Sequence, residues 1–141
     1  MFFGEYQHNI DKKGRISVPF RFRDELGNKM IIARGLEQKP CLSLYSPEEW
    51  KKLDETVRSM PAAKAKTVQK FLYPGASELE YDAQGRILIP QNLRDFAKLE
   101  SSAYVIGMSS HIQIWNIDIW NECSADNTPE NVFECISEII L

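Results

Sequence analysis

The sequence contains few cysteines and few histidines. Cys41, Cys123 and Cys135 are its only cysteines among 141 residues, and no two of them form a Cys-x-x-Cys pair. An odd number without paired spacing argues against a disulfide framework, and the two histidines, His8 and His111, add too little for a structural zinc site. We therefore expect small buried thiols in a reducing compartment, and neither a metal nor another cofactor.

Long hydrophobic runs are also missing. No apolar stretch approaches the ~18 residues that a membrane span needs, and the amino terminus lacks the basic and apolar regions of a signal peptide. A cytoplasmic protein with no membrane partner is the expectation. With 43% hydrophobic and 26% charged residues, the chain has the composition of an ordinary globular domain and should bury a core.

Positive charge is missing from the end of the chain, because no lysine or arginine follows Lys98. Residues 99–141 carry seven acidic side chains, whereas residues 1–98 hold 17 basic against 13 acidic ones, a net charge of +4. The overall charge of −3 therefore does not exclude a nucleic-acid partner, since electrostatic footprints are local. The densest basic stretch consists of Lys12, Lys13, Arg15, Arg21 and Arg23.

The sequence repeats itself at an offset of 71 residues. The run DKKGRISVP from Asp11 to Pro19 returns as DAQGRILIP from Asp82 to Pro90, and eight of the 21 positions from 4 to 24 are identical in the second copy. Such self-similarity indicates a duplicated structural unit. A duplicated unit in turn predicts pseudo-twofold symmetry within one chain.

Each copy predicts the same order of elements. Aspartate suits the first position of a type I turn and glycine the left-handed position after it, so a β-hairpin is expected around each turn. The proline that follows ends the return strand and suits the start of a short helix. The expected strands are 5–10, 15–18, 30–34, 41–45, 77–81, 86–89, 103–107 and 111–115. The expected helices are 20–26, 62–72 and 91–99, with two more beginning after Ser46 and Thr128.

Both copies keep an arginine directly after the turn glycine, Arg15 and Arg86. One such turn is typical of a purely structural Asp–Arg pair, but the turn itself needs only Asp and Gly. Two copies related by a dyad would present two guanidinium groups on one side. That arrangement suits duplex DNA, because arginine binds guanine or phosphate in a bidentate manner.

These motifs resemble the MraZ family. The likeness is carried by Phe2-Phe3-Gly4-Glu5-Tyr6 and by both Asp-x-x-Gly-Arg runs, and it extends over nearly the whole chain. It implies an α+β, mostly β, fold of two tandem AbrB/SpoVT-like swapped-hairpin units that form a pseudo-twofold β-barrel. On this basis 5–50 and 76–120 are the two AbrB-like units, 51–75 is a helical spacer, and 121–141 is an acidic C-terminal helix.

The resemblance also implies a function. It predicts a nucleoid-associated transcriptional regulator, a repressor rather than an enzyme, that binds direct repeats in double-stranded promoter DNA as a homo-oligomeric ring. The implied targets are the division and cell-wall gene cluster and the protein's own gene. The DNA-binding residues carried over are Asp11, Lys12, Lys13, Gly14, Arg15, Asp82, Gly85 and Arg86.

Two other classes of function remain open at the sequence level. A protein-interaction or antitoxin-like module could use the same fold without enzymatic activity. An enzyme would need Cys41 as a nucleophile, with His8 or His111 as its base and a lowered thiol pKa.

Overall fold

The fold was analysed in a computed structural model that describes residues 1–140. It is a mixed α+β architecture, which confirms the expected class. The strands are β1 (Glu5–Asn9), β2 (Arg15–Ser17), β3 (Lys29–Arg34), β4 (Leu42–Tyr45), β5 (Ser77–Glu80), β6 (Arg86–Leu88), β7 (Ser102–Met108) and β8 (His111–Trp115). The helices are α1 (Phe20–Leu26), α2 (Pro47–Arg58), α3 (Ala62–Leu72), α4 (Gln91–Phe96), α5 (Ile117–Ser124) and α6 (Pro129–Ile140).

Strand pairing reflects the duplication of the sequence. Six strands form one antiparallel sheet in the order β1-β7-β8-β4-β3-β5, and β2 pairs with β6 in a separate two-stranded ribbon. Each repeat gives its first strand to the other, since β1 pairs with β7 and β5 pairs with β3. The two central pairs, β4 with β8 and β2 with β6, join equivalent strands of the two repeats. Exchanging the repeats therefore maps the two central pairs onto themselves and each remaining strand pair onto another.

The expectation of a closed barrel is wrong. Within residues 1–140 the large sheet ends at β1 on one side and at β5 on the other, and these two strands do not pair. After each edge strand the chain turns into β2 or β6, whose hydrogen bonds are made to each other. β2 and β6 therefore pair with each other instead of adding further strands to the edges of the large sheet. The AbrB-like relationship itself stays a prediction.

The hairpins also differ from the simplest expectation. The turns form at the predicted positions, but β1 and β2 are joined only by an isolated bridge between Ile10 and Ile16 and by turn hydrogen bonds. Their ladders are made with the other repeat. Local turn chemistry is therefore satisfied inside one repeat, while sheet formation requires both.

One hydrophobic core is shared by the two repeats. It includes Ile16, Val18 and Phe22 from the first and Ile87 and Leu93 from the second, each at most 2% exposed. Smaller clusters lie under the helices that follow β4 and β8. Tyr45 of β4 packs with Val57 of α2 and Leu72 of α3, whereas α5 covers Trp115.

The helix ends follow their capping residues. The Ser46 hydroxyl accepts a hydrogen bond from the Glu49 N–H at 3.2 Å, and Pro47 occupies the first turn of α2. Helix α5 is not among the helices expected from the sequence, although Asn116 caps it in the same way, with Oδ1 accepting from the Ile119 N–H at 2.9 Å.

The final helix begins at Pro129 as the sequence predicted. Its large apolar side chains are substantially exposed, with Val132 at 45%, Ile136 at 44% and Ile139 at 86%. None of the helices formed by residues 1–140 is long and apolar enough to cross a bilayer.

Candidate nucleic-acid interface

The β2–β6 ribbon joins the two Asp-x-x-Gly-Arg turns, one at each end, because its strands are antiparallel and each follows its own turn. Ile16 lies directly opposite Ile87, its equivalent in the second repeat. The ribbon is extended at both ends, because the Ile89 N–H donates to the Gly14 carbonyl at 3.0 Å and the Val18 N–H donates to the Gly85 carbonyl at 3.3 Å. We call residues 11–15 the first tip and residues 82–86 the second tip.

The first tip is organised by the carboxylate of Asp11. Its Oδ1 accepts hydrogen bonds from the backbone N–H of Lys13 at 3.0 Å and of Arg15 at 2.9 Å. Its Oδ2 accepts from Arg15 Nε at 2.6 Å. The Arg15 backbone N–H is the main reason that the pKa of Asp11 falls from 3.8 to about 2. The carboxylate is therefore ionised throughout the neutral range.

The second tip has the same construction. Asp82 Oδ1 accepts from the N–H of Gln84 at 2.9 Å and of Arg86 at 3.0 Å, and Oδ2 accepts from Arg86 Nε at 2.9 Å. The hydrogen bond from the Arg86 N–H again lowers the pKa of the aspartate. An ion pair of 3.5 Å between Arg86 Nη1 and Asp11 Oδ2 connects the tips.

Both arginine side chains are half-buried rather than fully exposed. The exposed fraction is 33% for Arg15 and 26% for Arg86. Each aspartate binds the Nε edge of its guanidinium, which fixes the orientation of the plane; arginine has four further N–H donors on its terminal nitrogens. The Asp–Arg pair expected of a structural turn is thus present, and it also preorganises each guanidinium.

The two tips differ in the residues between Asp and Gly. The first carries Lys12 and Lys13, whereas the second carries Ala83 and Gln84, and all four side chains are exposed. Only the first tip therefore offers two additional cations on flexible side chains. Gly14 and Gly85 have φ angles of +92° and +75°, a region in which glycine is favoured.

The basic stretch seen in the sequence is divided by the fold. Arg21 stacks over the Phe3 ring at 4.4 Å and donates to the Tyr6 hydroxyl at 3.1 Å, beside the start of β1. Arg23 instead faces the second tip, where its guanidinium lies against Gly85. Arg94 lies against Gly14 in the same way. These two contacts were not expected from the sequence, although the repeat aligns Arg23 with Arg94.

The nucleophile of the enzyme alternative, Cys41, lacks the required electrostatics. Cys41 is fully buried, and burial raises the pKa of its thiol to about 12, the opposite of what a thiolate nucleophile needs. Burial also lowers the pKa of His111. Over residues 1–140, no group of three or more His, Cys, Asp and Glu side chains is arranged to hold a metal ion.

Fold and site together define a class: duplicated α+β proteins in which exchanged strands bring two Asp–Arg turns together. Comparison with known proteins identifies the family within that class. Residues 1–71 and 72–137 each match the family described as "MraZ protein, putative antitoxin-like". The chain belongs to the MraZ family, as the sequence motifs predicted.

Relatives cover almost the whole chain. A protein of Acetivibrio thermocellus is 46% identical over 128 residues, which are 89% of this chain and 88% of the relative. A protein of Desulforamulus reducens is 43% identical over 143 residues, 100% of this chain and 98% of the relative. A protein of Thermoanaerobacter sp. is 44% identical over 140 residues, 98% and 95% of the two chains. All three are named "Transcriptional regulator MraZ".

Proposed function

We propose that this chain is a transcriptional regulator that binds double-stranded promoter DNA through its two tips. The observation that carries the proposal is the pair of oriented guanidinium groups of Arg15 and Arg86, which lie diagonally across the β2–β6 ribbon, with Arg15 opposite Leu88 and Arg86 opposite Ser17. Arginine recognises guanine and phosphate through paired N–H donors, and orientation in advance reduces the entropy lost on binding. The names of the relatives agree with this role.

The two tips contribute differently in this proposal. Arg15 and Arg86 contact base edges, while Lys12 and Lys13 neutralise phosphates beside the first tip. Asp11 and Asp82 hold the arginines, and Gly14 and Gly85 permit the turns. The acidic C-terminal segment lies away from phosphates because like charges repel.

The family resemblance supports a more specific proposal. The protein represses its own gene and the division and cell-wall gene cluster, and several copies form a ring whose tips bind successive direct repeats. One chain offers few cations for binding DNA. A ring compensates for this, because linking several binding tips raises the overall avidity without any new kind of contact.

The decisive experiment compares the binding of promoter DNA by Arg15→Ala, Arg86→Ala and Arg58→Ala. Arg58 provides the control because it is exposed on α2 and its removal changes the net charge equally. We expect Arg15→Ala to lose about 1–3 kcal/mol of specific binding at each contacted site, and Arg86→Ala to weaken binding as well. Fluorescence anisotropy measures affinity, and circular dichroism verifies the fold. Wild-type affinity in a folded Arg15→Ala protein contradicts the proposal.

A second candidate is an antitoxin-like module that binds another protein. The description of the matching family as antitoxin-like favours this candidate. In that case the tips would bind an acidic protein surface, and promoter DNA would bind no more tightly than DNA of random sequence. Competition between specific and random DNA therefore separates the two candidates.

A further inference from the structure

Two arginines outside the tips make equivalent contacts across the pseudo-dyad. Arg23, on α1, donates from Nε to the carbonyl of Val18 at 2.9 Å. Arg94, on α4, donates from Nε to the carbonyl of Ile89 at 3.0 Å. Both side chains are half-buried. Each Nε bond stays within its own repeat, but the rest of each guanidinium reaches the other repeat.

The contacts with the other repeat are made at the tip glycines. A Cβ atom built on Gly85 would overlap the guanidinium of Arg23, and one built on Gly14 would overlap that of Arg94. Each guanidinium is therefore packed directly against the backbone of a tip. These glycines are constrained twice, by positive φ and by the lack of space for a side chain.

The same residues close a circuit of contacts at each tip, in which two contacts are hydrogen bonds and the third is packing of a guanidinium against a glycine. The Val18 N–H donates to the Gly85 carbonyl, while the Val18 carbonyl accepts from Arg23, whose guanidinium lies against Gly85. In the other half, Ile89, Gly14 and Arg94 make the equivalent contacts. A tip residue is thus held from two sides by the partner repeat.

We propose that Arg23 and Arg94 are positioning residues that act across the dyad, Arg23 on the second tip and Arg94 on the first. Arg94 fixes the turn that orients Arg15, and Arg23 fixes the turn that orients Arg86. Their effect on DNA binding rests on the function proposed above, whereas their effect on the tips does not.

Hydrogen exchange without DNA tests the positioning role directly. In Arg94→Lys, we expect faster exchange at residues 12–15 and little change at residues 83–86. In Arg23→Lys, we expect the reverse. Lysine keeps the charge but lacks the planar guanidinium and the Nε–H group, so it cannot restore the circuit. Faster exchange in the tip of the same repeat, equal changes in both tips, or no change at all would overturn the proposal.

The wild-type protein provides a measurement that does not depend on a variant folding. Nitrogen-15 NMR should show slowly exchanging Nε–H signals for Arg23 and Arg94 and a fast one for Arg21, which is exposed. Rapid exchange at Arg23 and Arg94 as well would contradict the contacts on which the proposal depends.

DNA binding then separates positioning from direct phosphate contact. If Arg94 positions Arg15, Arg94→Lys should bind promoter DNA about tenfold or more weakly, with an unchanged salt dependence. If Arg94 instead contacts phosphate, lysine should preserve most of the affinity, and the positioning proposal fails. Arg58→Lys serves as the matched control. A correct exchange pattern together with wild-type DNA binding by Arg15→Ala would retain the positioning role and reject the DNA-binding function.

Discussion

At the residue scale, the turn aspartates combine two tasks. The Oδ1 atoms of Asp11 and Asp82 bind backbone N–H groups and shape each turn, while their Oδ2 atoms hold an arginine. Because the pKa of each carboxyl is lowered, this arrangement persists at every pH near neutrality. No described side-chain contact anchors Lys12 or Lys13 in this way. Unanchored lysine side chains suit phosphates whose positions vary.

Lys13→Ala should make DNA binding less sensitive to salt. Removing one phosphate contact is expected to reduce the slope of log K against log salt by about 0.9 for each protomer bound, with little change in sequence preference. Lys66→Ala is the control, since Lys66 is equally exposed but lies on α3. Affinities measured at several salt concentrations give the slope. If both variants behave like the wild type, Lys13 is only a solvated side chain.

At the scale of elements, the ribbon β2–β6 is short but well anchored. Ile16 and Ile87 face each other in its centre and are at most 1% exposed. Leu88, which follows Ile87 on β6, is 52% exposed. The alternation places one face of the ribbon in the shared core and leaves the other at the surface. Core packing therefore fixes the distance between the tips.

Ile87→Ala should destabilise the protein far more than Leu88→Ala. Loss of a fully buried isoleucine costs about 2–5 kcal/mol, because the transfer free energy is lost and a cavity remains. The exposed Leu88 should change the free energy of unfolding by about 0.5 kcal/mol or less. Urea denaturation of both variants measures the difference. Equal destabilisation would mean that Ile87 does not occupy the core as described.

At the scale of the whole molecule, neither repeat can complete its own sheet. The edge strands β1 and β5 are paired with strands of the opposite repeat, and the central pairs β4–β8 and β2–β6 also join the two. A single repeat would leave all these hydrogen-bonding edges open. Two copies of one repeat could supply them to each other, because the pairing is pseudo-symmetric.

A fragment of residues 1–74 should therefore fold only as a dimer. In that dimer β1 would pair with β3 of the second copy, and Ile16 would lie opposite its own equivalent. Circular dichroism should show strand content that depends on concentration, and sedimentation should show twice the fragment mass. Ile16→Ala should weaken the dimer, so that the strand content and the doubled mass both appear only at higher fragment concentrations. A folded monomeric fragment would contradict the exchanged-strand topology.

Assembly of whole chains makes a further prediction about DNA. If a ring places tips on successive direct repeats, binding to several repeats should exceed binding to one by roughly 10²–10⁴-fold. Inserting about five base pairs, half a helical turn, between repeats should remove most of this gain. Affinity is measured on matched fragments that differ only in spacing. An unchanged affinity after the insertion would reject the ring arrangement.

The sequence alone determined the features that depend on local chemistry. Turn residues, prolines and the Ser46 cap set element positions within a few residues, and α1, α3 and β8 have the expected bounds. The 71-residue repeat predicted pseudo-twofold symmetry, and the MraZ motifs predicted the family. These signals succeed because backbone preferences and capping act over a few neighbouring residues.

Only the tertiary structure decided which strands pair and which arginines support the tips. A turn at Asp11 is compatible with strands that pair locally or with strands exchanged between repeats, since both satisfy the turn. The choice depends on burial of Ile16 and Ile87 in one shared core, which is a property of both repeats together. For the same reason Arg23 and Arg94 could not be assigned from the sequence. Each guanidinium contacts a glycine more than 60 residues away, and such a contact exists only after the repeats have packed.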